Sequence, residues 1–359
     1  MFATLRGAHL ERLRQGPPTT VFHRSRRFDF DARLAEGLDL RQRGLPGLVV
    51  ALVTAPRGSA QRVEVNEPLM AHGLSSGVAA VLALVVRRRS GRGGSRLVAY
   101  AIENRDPTGT GPVGVGPARV LRRVRAVRDR WLGHVVARRL DRLAFGTAGA
   151  EQTYRQAVGR HLDGVQTRVV PALPAPCGCP APDSAPAEPL VVFLGALAPR
   201  KGVTTLVDAW PGIRARLGTG RLVVRGAGPL AGRLAEAAAR EDTIDTGPTI
   251  DRDGVHQLLR RADVVVLLSR RTAHWREQVG LPIVEGLAHG CAVVTTDETG
   301  LADWLADHGH HVVPATAGVA EVTEAVVRAV RARRPAQDVL ADLPSVDGRS
   351  AADTWLNGP

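Results

Sequence analysis

The stretch from Glu277 to Thr296, EQVGLPIVEGLAHGCAVVTT, constrains this chain more than any other. Gly280 and Pro282 mark a helix start, Gly290 marks a helix stop, and Val293 and Val294 open a buried strand. Proline suits the first helical position, so backbone N–H groups around Val279 to Ile283 should face whatever precedes the helix, where anions are favoured. Glu285 falls in the first turn and Glu277 in the loop before it, so two carboxylates and an anion-binding helix end can converge. That combination suits a polyhydroxyl group attached to a phosphate.

Strand-like runs alternate with helix-like ones along the chain, which argues for parallel α/β sheets. In the first half the candidate strands are Thr19–His23, Leu48–Thr54, Arg62–Val65, Leu97–Ile102, Arg142–Gly146 and Thr167–Val170. Met1–Gly16 and Gly77–Arg88 read as helices, and the Gly- and Pro-rich segment 105–118 as an exposed loop. Between 119 and 142, Val120, Val124, Val127, Trp131, Val135 and Val136 fall on one helical face and arginines on the others, as in a helix packed on a sheet. Pro171–Pro189 changes to Pro, Ala and Cys, the composition of a linker. Beyond it strands are expected at Leu190–Leu194, Leu222–Arg225, Thr243–Thr246, Val264–Leu268, Ala292–Thr295 and Val312–Val313. A chain of 359 residues is long enough for two such domains, divided as 1–175 and 190–340 with 176–189 between them. In sheets of this kind ligands bind beyond the carboxyl ends of the strands.

Only one lysine, Lys201, occurs among the 48 basic residues. Residues 1–175 hold 29 Arg against 13 Asp plus Glu, a net of +16, which leaves 19 basic and 22 acidic groups, a net of −3, for 176–359. An acidic partner or surface on the first half is expected from that asymmetry. Nucleic acid is not the expected partner, because aromatic residues make up only 4% of the chain and no stacking platform appears. The three cysteines, Cys177, Cys179 and Cys291, give no disulfide framework and no zinc spacing, so a reducing, cytoplasmic setting is expected. The first residues lack the apolar core of a signal peptide, and the longest apolar run, Val78–Val86, is too short to span a bilayer.

The spacing E-x7-E within E-x-x-G-L-P-x-x-E-G, with Gly280, Leu281, Pro282, Gly286 and Gly290 in register, resembles the donor-site motif of family 4 glycosyltransferases. These are retaining enzymes of the GT-B fold, in which two Rossmann-like domains face a cleft. GALAPRKGV, Gly195 to Val203, resembles the family's G-R-L-x-x-x-K-G segment, and its Arg200 and Lys201 make a diphosphate cradle plausible. The chain departs from that segment at Ala196, where the family has an arginine for which Arg200 can stand in. Gly226-Ala227-Gly228-Pro229 is similar to the family's G-x-G-P turn, Gly247 follows the next strand where the family contacts the nucleobase, and Ser269 falls where the family has Pro-Ser.

The resemblance implies the following roles. Glu285 hydrogen-bonds the ribose hydroxyls, with Arg200, Lys201, Gly226, Gly228, Gly247, Ser269, Gly280 and Leu281 completing the donor side. Glu277 lies beside the sugar ring, and Glu277, Lys201 and Glu103 are the candidate catalytic groups. Apart from the resemblance, polar pairs at strand ends suit acceptor binding, so Asn66 and Glu67 after one strand, Glu103 and Asn104 after another, and His274 in the long loop RRTAHWR are the acceptor-side candidates. The family's usual N-terminal Gly-rich loop is missing, so the first domain reads as abbreviated, and the C-terminal segment 341–359 should form a helix returning to it. No cofactor or metal is implied: neither Asp29-Phe-Asp31 nor Asp251-Arg-Asp253 follows an apolar strand, and Asp251 reads as a helix cap. The expected activity is retaining transfer of a sugar from a nucleoside diphosphate sugar to a glycan or lipid-linked acceptor, in the cytoplasm, with peripheral contact with the inner face of an anionic membrane. The alternatives are a catalytically weak sugar-nucleotide-binding partner protein and another GT-B enzyme such as a nucleotide-sugar epimerase.

Overall fold

The computed structural model describes residues 1–358 apart from 6, 27–29, 57–61, 93–94, 105–116, 180–187 and 274, and within helices it leaves out the side chains of 8, 15 and 117–122. The chain forms two compact units, Met1–Pro171 together with Arg349–Pro359, and Ala172–Gly348.

In the first unit β1 (Phe2–Leu5), β2 (Thr20–Arg26) and β3 (Asp39–Gln42) make one parallel sheet, and β4 (Arg62–Asn66), β5 (Arg96–Ala101), β6 (Arg142–Phe145) and β7 (Gln166–Val169) another. Asn66 N donates to Met1 O at 3.2 Å, which sets β1 beside β4. The two sheets therefore continue one another in the order 3-2-1-4-5-6-7. The central strands are buried on both faces: Leu97, Ala99, Leu143 and Phe145 enter the main core, while Val98, Tyr100 and Ala144 meet Ala352 and Leu356 of the C-terminal helix Gly348–Asn357. An ion cluster fixes that helix, with Arg12 donating to Asp353 at 2.6 Å and to Glu64 at 3.1 Å, and Arg349 pairing with Glu64. Burial alone would raise the Glu64 carboxyl, but Arg349 and Arg12 outweigh it and hold it at about 2.

Three expectations for this half need correction. Leu48–Thr54 is part of a helix, Leu45–Thr54, because Pro46 sits in its first turn and Leu48 and Leu52, one turn apart, are its buried face. The buried Arg87 then caps this helix, donating to the carbonyls of Leu52, Ala55 and Pro56 at 3.2, 2.7 and 2.8 Å. Met1–Gly16 is not one helix but β1 followed by the helix Gly7–Gln15, so a first strand is present after all. The amphipathic helix spans Pro117–Ala137, and much of its apolar stripe lies in solvent, with Val124, Val127 and Trp131 at least 61% exposed. Part of the expected loop 105–118 lies outside the described residues.

The second unit holds β8 (Leu190–Leu194), β9 (Arg221–Arg225), β10 (Ile244–Gly247), β11 (Val264–Leu267), β12 (Ala292–Thr296) and β13 (His311–Val313). All six are parallel, in the order β10-β9-β8-β11-β12-β13. Counted within the unit this is 3-2-1-4-5-6, the doubly wound order, and the direction of winding reverses between β8 and β11. β8, β11 and β12 are buried along their whole length, which is why they are unbroken apolar or threonine-terminated runs. The residues just beyond β8 and β11 thus occupy the crevice where a ligand belongs.

Candidate functional site

The turn after β8 is built by close backbone approach. Gly195 adopts φ 136° and leads to a single 3-10 turn, Pro199–Lys201, and then to Gly202 in the left-handed region at φ 68°. A Cβ on Gly202 would lie 2.2 Å from Leu268 O, so only glycine lets the helix Val203–Leu217 start against the end of β11. The G-x-G-P turn after β9 lies on the same spot: a Cβ on Gly226 would fall 1.8 Å from Gly195 O, and Leu197 N donates to Ala227 O at 2.9 Å. A Cβ on Gly228 would likewise fall 2.4 Å from Leu197 O. Gly247, at the end of β10, closes the row by accepting from Gly226 N at 3.2 Å. Three strand ends therefore meet through close backbone contacts.

Lys201, Ser269 and Glu277 meet at the turn after β8. Ser269 follows β11, and its hydroxyl donates to Glu277 Oε2 at 2.6 Å, while Lys201 Nζ reaches the same oxygen at 2.5 Å. All three side chains are nearly closed to solvent, Lys201 at 13% and Glu277 at 10% side-chain exposure. Ser269 is itself pinned, its carbonyl accepting from Thr296 Oγ1 of β12 at 2.5 Å. The loop after it folds back onto the cradle: Arg270 N donates to Arg200 O at 2.8 Å, and Thr272 bridges to Trp275. The Trp275 ring then faces both cations, 4.4 Å from the Arg200 guanidinium carbon and 4.9 Å from Lys201 Nζ. Arg200 thus stands beside Lys201 despite Ala196. His274 lies outside the described residues.

The helix Leu281–Ala288 begins as its sequence requires, with Gly280 at φ 85° as cap and proline in the first turn. A Cβ on Gly280 would be 2.9 Å from both Ile283 and Leu267, so the glycine brings the helix start down onto the end of β11. Leu281 is 55% exposed at that start. Glu285 pairs with Arg252, which the sequence reading did not single out; its signal was its place at the first position of a helix capped by Asp251. Asp251 is indeed that cap, accepting from Gly254 N at 2.8 Å. Chemically the site offers two cations and a serine hydroxyl beside one carboxylate, and a second carboxylate on a helix.

The acceptor-side candidates belong to the first unit. Asn66 ends β4, while Glu103 and Asn104, beyond β5, are 2% and 5% exposed. Glu67 is tied into the surrounding structure. It is buried, and its carboxylate accepts from Ile102 N at 2.6 Å, Glu103 N at 2.9 Å and the Tyr154 hydroxyl at 2.8 Å, tying β4 to β5 and to the helix Ala148–Val158. Burial, only partly offset by these donors, pushes the Glu67 carboxyl up to about 7. The folded state therefore keeps a proton between pH 4.5 and about 7 that the unfolded chain releases, and stability contributed by this group is lost as pH rises through about 7. Between pH 5 and 8 the wild type should lose about 2 to 3 kcal/mol more stability than Glu67→Gln, measured by urea unfolding. Parallel losses in the two proteins would contradict this assignment.

A doubly wound unit with polar groups at its switch point is a general nucleotide-binding architecture, and solved GT-B glycosyltransferase structures share the fold along the chain. A lipopolysaccharide outer core galactosyltransferase, WaaB, superimposes with a TM-score of 0.60 at 12% identity, covering 93% of this chain and 88% of that one. Sucrose-phosphate synthase from Thermosynechococcus elongatus does so with a TM-score of 0.55 at 18% identity, covering 94% and 85%. Residues 188–332, within the second unit, match the family described as Glycosyl transferases group 1. Over 146 residues the chain is 33% identical to a GDP-mannose-dependent alpha-(1-6)-phosphatidylinositol monomannoside mannosyltransferase of Mycobacterium tuberculosis, covering 39% of this chain and 37% of that protein. The chain thus spans little more than a third of the length of the curated relative it matches.

Proposed function

We propose that the chain transfers a sugar from a nucleoside diphosphate sugar to a hydroxyl acceptor with retention of anomeric configuration. The meeting of Lys201, Ser269 and Glu277 at the β8–β11 switch point carries this reading. The diphosphate lies along the backbone of 195–202, with Arg200 and Lys201 offsetting its charge, and Glu285 accepts the two ribose hydroxyls in place of Arg252. Because Lys201 already reaches Glu277, donor binding needs only a turn of the ammonium from carboxylate to phosphate, which frees a carboxylate oxygen for the sugar. The bond from the anomeric carbon to the phosphate oxygen then breaks as the acceptor oxygen bonds on the same face, and the acceptor proton passes to the departing phosphate. Stabilising that leaving group is the main electrostatic task, and no cofactor enters this reading. The mycobacterial relative makes GDP-mannose the first donor to try. The test is NMR of the glycosidic product: the donor's own anomeric configuration is expected, and the inverted one would overturn retention.

The acceptor in this reading is lipid-linked and met at an anionic membrane surface. Its support is the helix Pro117–Ala137, whose exposed Val124, Val127 and Trp131 share the surface with exposed Arg123, Arg125, Arg128 and Arg130. No helix among the described residues is long and apolar enough to cross a membrane. Arg87 is buried and takes no part. Each well-placed arginine contributes about 1 kcal/mol. Sedimentation with vesicles of rising anionic lipid content should show binding that salt weakens, and that a variant with Arg122, Arg123, Arg128 and Arg130 changed to Gln largely loses. Binding that ignores lipid charge would contradict the membrane role.

A further inference from the structure

The second unit gathers four metal-ligating side chains away from the donor groups. Cys177, Cys179, His256 and His289 place one ligand atom each within 4.8 Å of one another. Cys177 Sγ lies 3.0 Å from Cys179 Sγ and 3.6 Å from His256 Nδ1, and His256 Nδ1 lies 3.0 Å from His289 Nε2. We propose that these four side chains form a tetrahedral site for zinc or a similar soft divalent cation.

The geometry fits such a centre. Metal–sulfur bonds of about 2.3 Å and metal–nitrogen bonds of about 2.0 to 2.1 Å give a tetrahedron with edges of roughly 3.3 to 3.8 Å. The observed sulfur–nitrogen separation lies in that range, and the other two need only a small outward shift. The two sulfurs, at 3.0 Å, stand well outside a disulfide bond of about 2.05 Å. The surroundings also suit a ligand set. His289 Nδ1 lies 2.7 Å from Glu285 O, and a donated N–H there fixes the tautomer that leaves Nε2 with its lone pair. The cysteine segment is held in place on its own account, since Cys177 N donates to Ala288 O at 2.8 Å.

The cysteines alone carry no zinc pattern, because the other two ligands of the proposed site come from elsewhere in the chain. Two cysteines one residue apart recruit histidines from two helices, the helix Arg252–Leu259 and the end of Leu281–Ala288. An occupied site staples the segment entering the second unit to both helices. One of these carries Glu285 and the other Arg252. Binding of the divalent cation converts two thiols to thiolates and releases two protons to solvent, one from each cysteine.

The site can be tested without any assay of sugar transfer. Untagged full-length protein, reduced and stripped with a chelator, is titrated with Co²⁺ and then Zn²⁺. About one equivalent of Co²⁺ should bind, with thiolate charge-transfer bands and the intense visible bands of tetrahedral coordination, and Zn²⁺ should displace it. Cys179→Ser and His289→Gln should each abolish or shift these bands. Thiol titration gives an independent readout in the wild type. Cys291 is fully buried, so the folded protein should show two reactive thiols without metal and almost none with it. Absence of tetrahedral Co²⁺ bands in the reduced wild type, or thiols that react equally with and without Zn²⁺, would overturn the proposal.

Discussion

Lys201→Ala is expected to lower the rate of donor turnover by about 30- to 1000-fold, corresponding to about 2 to 4 kcal/mol of lost transition-state stabilisation. Its ammonium is held at the end of a tight turn, mostly shielded from water, against Glu277 and the Trp275 ring. A charge fixed there needs no reorganisation when negative charge grows on the departing phosphate, and alanine removes it entirely. Arg200 remains against Trp275, so the loss stays short of complete. The fold should survive, because the glycines on either side and the strands beneath them set the turn. Turnover within about threefold of wild type in a folded variant would contradict the assignment.

The two glutamates are expected to fail differently. Glu277→Gln keeps hydrogen-bonding contact with Ser269 but removes the negative charge beside the sugar and beside Lys201, so it should reduce turnover by about 100-fold or more with a smaller change in donor affinity. Glu285→Gln should act mainly on binding of the free nucleoside diphosphate, since ribose contacts exist in ground and transition states alike. It also leaves Arg252 without its carboxylate partner. Calorimetric titration of nucleoside diphosphate into each variant separates the two roles. Equal loss of affinity in both would remove the distinction.

The second unit was almost wholly legible in the sequence. Strands buried on both faces must be apolar throughout and must end in glycine, serine or threonine where the chain turns toward a ligand, so β8 to β13 were each placed to within a residue or two. The meeting of Lys201 with Glu277 was less visible than either residue alone, since motif register aligned each with the donor and said nothing of a direct contact between them. In the first unit β3, with the sequence DLRQ and mostly exposed, carries no apolar signal at all. An apolar run such as Leu48–Thr54 fits strand and buried helix equally, and Pro46 was the clue that decided it. Glu67 stands at a strand end, where a carboxylate can also tie neighbouring strands together, and its contacts with β5 and Tyr154 were not visible in the sequence. The metal-ligand cluster was invisible for a different reason: Cys177 and His256 are 79 residues apart and His256 and His289 another 33, so no local spacing announces them.

The central claim, that the turns after β8 and β11 hold a nucleoside diphosphate sugar for transfer, is tested most directly by incubating the full-length protein with GDP-, UDP- and ADP-sugars and measuring thermal stability and released nucleoside diphosphate together. At least one donor should raise the melting temperature by mass action and yield free nucleoside diphosphate, with release much reduced in Lys201→Ala and Glu277→Gln. A donor that stabilises the protein but is never cleaved, with a lipid or glycan acceptor supplied, would leave a sugar-nucleotide-binding protein without transferase activity. No stabilisation by any member of the panel would contradict the donor site itself.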